Sequence, residues 1–594
     1  MDRRGRRERH GTLGRPRNST LARIAGGPYI RGMGAAAGRR RLAEAAAAFT
    51  SNWRNPNLRR AQLSFLAAWT AEWAFTVALG IVAYKDGGAL ALGLVGLLRM
   101  VPSALLAPLL SPYADRGRRE RVLVVVSAVR GVATAVAAAT VAVAGPLLLV
   151  YALAVLSTIA ATLFRPAHSA LLPTLCRTGH ELASANVVRG LLDSIATLAG
   201  PLLAAVLLAF TDVSIVFAVA AAASFGAALL LVGVRYEAPP RPAAPQRPAL
   251  LREAVEGIRA VAGNRDLLLI LGLAAAQSLT RGALTVFSVV VAIELLGTGD
   301  PGVGALMAAV GVGAVIGSLA ASFLVGTGRL GAWFAAGVAL WGLPIALVGV
   351  FPQEGAALFL LAFVGTGNAL IDVAGFTLIG RLAPDAVLAR VFGVLESLVA
   401  VSIGLGSILA SALIEGFGIR FALLAIGLVC PILAILAWRR LRRLDRSVDV
   451  LDLDVALLQE VAMFAPLPLP AIEQLARGLE AVTVPAGEEV FREGDLGDRY
   501  YVIESGEADV VGGGRTVATL RRGEGFGEVA LLRRSRRTAT VLAHSALRLR
   551  ALGSERFISV VLGYAPSAQA ATAAVDYQLD RYAPEERQDE PPAS

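Results

Sequence analysis

The chain has 594 residues, of which 56% are hydrophobic and 17% charged, with a formal net charge of +11. A mean hydropathy of +0.63 exceeds what a water-soluble domain needs, and the apolar residues fall in long runs rather than amphipathic stripes, which excludes a purely soluble architecture. Two cysteines, Cys176 and Cys430, are too few for a disulfide framework and imply no metal site, and the basic residues lack the aromatic interleaving of a nucleic-acid surface.

The segment from Asp2 to Arg60 is rich in Arg, Gly and Ala and is expected to be a disordered basic tail. No apolar core of adequate length precedes Ala61, so it does not read as a secretory signal, and Met33 is an alternative start. From Ala61 to Trp438 about twelve runs are long enough to cross a hydrocarbon core of ~30 Å as helices. The expected cores of the first six are Ala61–Tyr84, Ala89–Leu110, Val122–Val143, Leu147–Phe164, Asn186–Phe210 and Val213–Val234. A second six follow at Leu267–Leu295, Val303–Val325, Leu330–Val350, Ala356–Ile379, Val391–Ile414 and Phe421–Trp438. Helices apolar on every side must face lipid or one another, so the expectation is a multi-pass membrane protein. The tail to Arg60, the loop Asp115–Arg121, the stretch Arg235–Arg265 and the run Arg439–Arg443 are basic, whereas the alternate loops near Lys85, Gly145, Gly297 and Pro352 are short and nearly uncharged. The positive-inside rule then places both termini in the cytoplasm of a plasma-membrane protein.

The spans divide six and six around the connector 235–266, in which Leu251, Val255 and Ile258 share one face of an amphipathic helix at the cytoplasmic interface. The halves echo each other: Gly190-Leu191-Leu192-Asp193-Ser194 in the fifth span matches Gly393-Val394-Leu395-Glu396-Ser397 in the eleventh, as a duplicated six-helix unit would leave behind. Ionisable residues inside spans are costly and mark function by default. Glu72 lies about eleven residues into the first span, ~16 Å deep, and Arg99 lies at similar depth in the antiparallel second span, so the two can pair at the midplane. Asp193, Asp372 and Glu396 fall nearer the cytoplasmic side and Arg281 nearer the outer side, while Arg165 and Arg189 read as snorkelling at helix ends and His168 as structural. Glu72, Arg99, Asp193, Arg281, Asp372 and Glu396 are the transport and coupling candidates.

Between the second and third spans, Ser111-Pro112-Tyr113-Ala114-Asp115-Arg116-Gly117-Arg118-Arg119 resembles the cytoplasmic gating loop of the major facilitator superfamily, with serine for the usual first glycine and one residue fewer before the paired basics. The resemblance implies a twelve-helix transporter whose halves rock about a midplane cavity, with Asp115, Arg116, Arg118 and Arg119 as gating charges. Phe164-Arg165-Pro166-Ala167-His168, the following Leu171-Leu172-Pro173, and Arg390-Val391-Phe392-Gly393 are similar to the subgroup containing siderophore and macrolide exporters. Gly200-Pro201 resembles the kink of proton-coupled antiporters.

Near the chain's end, Phe526-Gly527-Glu528-Val529-Ala530-Leu531-Leu532 precedes Arg537-Thr538-Ala539-Thr540-Val541. An apolar turn with one carboxylate, followed by one arginine entering a strand, can hold a phosphate on N–H groups and a guanidinium and a sugar diol on the acid. With the glycines at 487, 494, 497 and 506 marking turns between alternating strands, this stretch resembles a cyclic nucleotide-binding domain over about residues 451–579. Val461 to Leu479 reads as its helical lead-in, with Phe464, Ile472, Leu475 and Leu479 apolar, and Ser554 to Leu579 as its closing helices. The resemblance implies binding by Gly527, Glu528, Val529, Ala530, Arg537 and Thr538 of cAMP, or of cGMP, since the hydroxyl of Thr538 favours guanine in part of that family.

The expected organisation is a membrane all-α twelve-helix fold plus a cytoplasmic β-roll: tail 1–60, first half 61–234, connector 235–266, second half 267–446, nucleotide domain 451–579 and tail 580–594, with little slack between Arg443 and Leu451. The expected function is proton-coupled export of a small molecule, regulated by cyclic nucleotide, with the lipid bilayer as the other partner, no nucleic acid, no cofactor and no enzymatic step. A membrane-tethered nucleotide receptor without transport is the alternative. Neither the substrate nor the oligomeric state is legible.

Overall fold

The computed structural model describes residues 53–116, 118–176, 179–234, 250–324, 329–383, 385–464, 466–467, 469–533, 535–563, 567–569, 571–573 and 575–576. Residues 1–52 of the expected N-terminal tail, the C-terminal tail and the Pro-rich part of the connector lie outside these residues, whereas Pro56–Arg60, read as tail, open the first helix. Two compact units divide the chain, one ending at Leu441 and the other starting at Arg442.

The first unit is helical. Among the described residues eleven helices are long and apolar enough to cross a membrane, and the first of them counts twice. Helix α1 (Pro56–Arg116) breaks at Gly87–Gly88, where Gly88 takes φ +63°. Without a Cβ that turn costs little, so the chain reverses there and the helix forms the first two crossings. The rest of the first half is α2 (Arg119–Ala142), α3 (Leu147–Ala161), α4 (Phe164–Leu175), α5 (Gly179–Phe210) and α6 (Val213–Val232). Together α3 and α4 make one crossing, longer than the expected Leu147–Phe164. In α5, Gly200 is a packing residue, because a Cβ there would fall 2.5 Å from Trp73 Cβ and 2.6 Å from the Thr70 carbonyl of α1.

The connector helix α7 (Leu250–Gly263) packs Gly257 against Arg390 and joins Glu256 to that arginine at 3.0 Å, leaving Val255 and Ile258 exposed. Such an apolar face on a charged helix suits the membrane interface. The second half is α8 (Arg265–Val290), capped by Asn264 and prolonged by a π-turn at Val291–Leu295, then α9 (Gly299–Leu324), α10 (Leu330–Val350), α11 (Glu354–Leu382), α12 (Asp385–Phe417), α13 (Ile419–Gly427) and α14 (Val429–Glu460). The last of these corrects one expectation. Residues 444–451, read as a short linker, lie within α14, because no glycine or proline interrupts the sequence between Trp438 and Glu460.

The second unit is a β-roll. After α15 (Leu469–Ala476) come β1 (Leu479–Val484), β2 (Glu489–Phe491), β3 (Arg499–Ser505), β4 (Ala508–Gly512), β5 (Arg515–Leu520), β6 (Gly525–Phe526), α16 (Glu528–Arg533), β7 (Thr540–Ala543), β8 (Leu547–Gly553) and α17 (Ser554–Gly563). The lead-in helix is thus shorter than expected, and Leu479 opens a strand. Two antiparallel sheets, ordered β1-β8-β3-β6 and β2-β7-β4-β5, enclose a core of Ile503, Val510, Phe526, Val541, Leu547 and Leu549. A second core lies on the helical side, where Leu457 and Leu458 of α14, Phe464, Ile472, Leu475, Tyr500 and Phe557 meet. Tyr500 stacks on Phe557 at 4.7 Å and meets Phe464 edge-on. Phe557→Ala is therefore expected to destabilise this unit by about 3–5 kcal/mol, read from denaturant unfolding of the fragment starting at Arg442.

Candidate functional site

The cassette grows out of β6. Phe526 is buried between the sheets, stacked on Tyr501 at 5.3 Å, and the chain then turns at Gly527 with φ +95° into α16. Any Cβ at Gly527 would sit 2.5 Å from Arg537 Nη1. Both conformation and space therefore demand glycine. Glu528, the first residue of α16, is 1% exposed, and Val529 and Ala530 are buried behind it. Ala530 abuts Gly497, so this turn and the loop before β3 pack as one piece.

Arg537 enters from the opposite strand connection. Its own N–H donates to Asp495 O at 2.9 Å and its carbonyl accepts from Gly494 N at 2.9 Å. The guanidinium lies 4.1 Å from the Phe491 ring centroid, donates from Nη1 to Gly527 O at 3.0 Å and from Nη2 to Arg499 O at 2.8 Å, and has the Asp498 carboxylate 4.0 Å away. Nε is buried without a hydrogen-bond partner among the described residues. Two of five N–H groups are thus spent on backbone carbonyls that fix the fork's position, and three remain for an anion. Burial lowers the basicity of this guanidinium, while Tyr501, Asp498, Glu528 and Asp495 act the other way. Burial, with Glu528 nearby, also pushes the Tyr500 phenol well above its usual range, so it stays protonated behind the acid. Thr538 is exposed beside the arginine. Glu528 and Arg537 are brought to one turn, as a phosphate and sugar-diol site requires.

In the membrane unit the charged residues form two groups. Glu72 accepts from Arg99 Nη2 at 3.0 Å and from Arg130 Nη2 at 2.5 Å, with side-chain exposures of 15%, 7% and 5%. Arg99 also donates from Nε to Thr158 at 2.9 Å and lies over Phe75. The expected Glu72–Arg99 pair is therefore one side of a triad. Sequence reasoning missed Arg130, although a lone arginine within the apolar run of α2 was the available signal.

The second group draws residues from both halves. Arg165 pairs with Asp193 at 2.9 Å and lies 4.5 Å over Trp69. Arg189 donates to Ser169 at 3.0 Å, with its Nε buried. Arg281, near the Trp73 ring, is within electrostatic range of Asp372, Arg165, Asp193 and Glu396. Asn368 donates to Asp372 at 2.9 Å. Asp372 and Glu396 are exposed. His168 is fully buried, 3.2 Å from Ala61 O and stacked on Phe164. Of the gating-loop residues, Arg118 pairs with Glu120 at 2.5 Å and Arg119 donates to Ala170 O at 2.6 Å, while the side chains of Asp115 and Arg116 lie outside the described set.

Two six-helix halves with charges gathered at their interface, followed by a β-roll with a phosphate cassette, define a transporter-type membrane protein with a nucleotide-binding-type domain. The family model of the Major Facilitator Superfamily matches residues 63–291 and 273–473, and that of the cyclic nucleotide-binding domain matches residues 481–564. The chain belongs to the Major Facilitator Superfamily and carries a C-terminal cyclic nucleotide-binding domain. Over 104 residues it is 42% identical to the cAMP-dependent protein kinase regulatory subunit of Mucor circinelloides f. lusitanicus, covering 17% of this chain and 24% of that one. The corresponding subunit of Schizosaccharomyces pombe is 42% identical over 95 residues, 16% and 23% of the two chains. The chain thus spans about a quarter of the length of these curated relatives. Among solved structures, the N-terminal domain of a transcriptional regulator from Streptomyces coelicolor A3(2) is 28% identical with a TM-score of 0.19, covering 21% of this chain and 93% of that chain.

Proposed function

We propose that this protein is a proton-coupled secondary transporter that exports a small molecule across the plasma membrane and is regulated by cytoplasmic cAMP, with cGMP as the other nucleotide the site accommodates. The observation that carries the transport reading is the group formed by Arg165, Asp193, Arg281, Asp372 and Glu396, drawn from both halves of the bundle. An anchor has no reason to bear that cost. The repeated Gly-x-x-acid-Ser motif supplies one acid of the group from each half. Glu72 neutralises two buried guanidiniums and cannot surrender its charge without leaving both uncompensated, so proton coupling is assigned first to Asp372, Asp193 and Glu396. Basic loops on one face favour cytoplasmic termini.

For the sensor, the free Nε of Arg537 beside Glu528 supports a cyclic phosphodiester ligand, and the matching segments of cAMP-dependent kinase regulatory subunits favour adenine. Nucleotide shifts the transporter only by binding one of its states more tightly, and a few kcal/mol suffices. In proteoliposomes made from the full chain, Glu528→Ala with Arg537→Ala is expected to leave proton-driven efflux intact and to abolish its response to cAMP. Flux of every tested compound unaltered by nucleotide in the parent protein would favour the tethered-receptor reading instead.

A further inference from the structure

The two halves of the membrane unit meet tightly at one face. Toward the face where α1 reverses, a Cβ on Gly304 or Gly311 of α9 would fall 2.6 Å from Ala205 N and 2.4 Å from Leu198 Cα of α5. Gly93 and Gly96, just after the reversal, meet Ser411 and Ser407 of α12 as closely. The described conformation is therefore shut at the face bearing Lys85.

Among the described residues, two polar contacts cross between the halves at the shut face. Lys85 Nζ lies 2.5 Å from Asp300 Oδ2 in the first turn of α9, and Tyr84 donates its hydroxyl to Glu294 Oε1. Tyr84 and Lys85 end the first arm of α1, and Tyr151 of α3 donates to the next residue, Asp86, at 2.8 Å, bracing that corner. Glu294 owes its direction to the π-turn Val291–Leu295, which Leu296 N to Val291 O at 2.8 Å and Thr298 N to Ala292 O at 2.9 Å hold in place. Single π-turns in an α-helix are uncommon and are found most often at functional positions. Glu415 of α12 is within electrostatic range of Tyr84, so a third helix of the second half faces the same corner.

We propose that Tyr84–Glu294 and Lys85–Asp300 are the latch that keeps this face closed, and that release toward it requires both contacts to break. The latch rests on reading the bundle as an alternating-access transporter, yet it concerns residues outside the interior charge group. Its two contacts differ in weight. The Lys85 pair is largely exposed and contributes little on its own. Tyr84 donates to a carboxylate oxygen, the stronger of the two contacts.

The test uses the full chain with Cys176→Ser and Cys430→Ser, and Ser397→Cys as reporter beside Glu396, labelled by a membrane-impermeant maleimide from either face in sealed membranes. Lys85→Met is expected to speed labelling from the Lys85 face roughly two- to fivefold, and Tyr84→Phe about tenfold. The exchange Lys85→Asp with Asp300→Lys is expected to return the rate to that of the parent. Labelling from the basic face in the same samples shows that each variant is folded. Rates from the Lys85 face that stay at the parent value in both single variants, or an exchange that stays as open as Lys85→Met, would overturn the latch. A parent protein labelled from neither face would sink the transporter reading, and the latch with it.

Discussion

Alanine in place of Arg537 is expected to weaken cAMP binding by the unit starting at Arg442 about ten- to a hundredfold, against less than about threefold for Thr538→Ala. A charge-assisted bond to a phosphate, made in a buried setting, is worth more than any exposed hydroxyl contact to a base. The guanidinium is already positioned by two backbone carbonyls and the Phe491 ring, so it orders nothing further when ligand arrives. Its removal also strands the carbonyls of Gly527 and Arg499, which makes a denaturation curve a necessary companion to calorimetry. Equal losses in the two variants, with both folded, would mean that the phosphate is not held by Arg537.

The second large effect concerns the triad in the first half. Glu72→Gln leaves Arg99 and Arg130 side by side in the bundle interior without their counter-charge, and breaking a buried pair in this way costs about 3–5 kcal/mol. The full chain purified in detergent is expected to unfold at a markedly lower temperature. Glu72→Gln combined with Arg130→Gln is expected to recover much of that loss, because one of the two stranded charges is gone. A single variant as stable as the parent but without proton-driven flux would return the coupling role to Glu72.

How much of this was legible depends on the range over which each feature is determined. The cassette could be read because it is local: Gly527, Glu528 and Arg537 lie within one turn and one strand connection, and the glycines mark the corners of the roll. The membrane spans could be read because hydrophobicity sustained over twenty or so residues needs no tertiary context. Arg130 was visible as a lone arginine in an apolar run, but nothing in the sequence marked Glu72 as a partner shared between two arginines. The reading of a linker after Arg443 failed for a different reason. A run of arginines marks the membrane boundary without stopping a helix, and α14 continues until Glu460. Leu479 was assigned to a helix on periodicity alone, although Gly478 before it was the better guide to a strand start.

The helical-side core of the sensor has a consequence for synthesis. Leu457, Leu458, Phe464 and Tyr500 are covered by Phe557, Val560, Val561 and Ala571, which leave the ribosome last among them. Every membrane span precedes these residues in the chain, so insertion into the bilayer runs ahead of the moment at which the roll can close. A chain interrupted before Phe557 would display an aromatic surface beside a membrane unit already in place, and the cell's quality control would meet it there rather than in free solution.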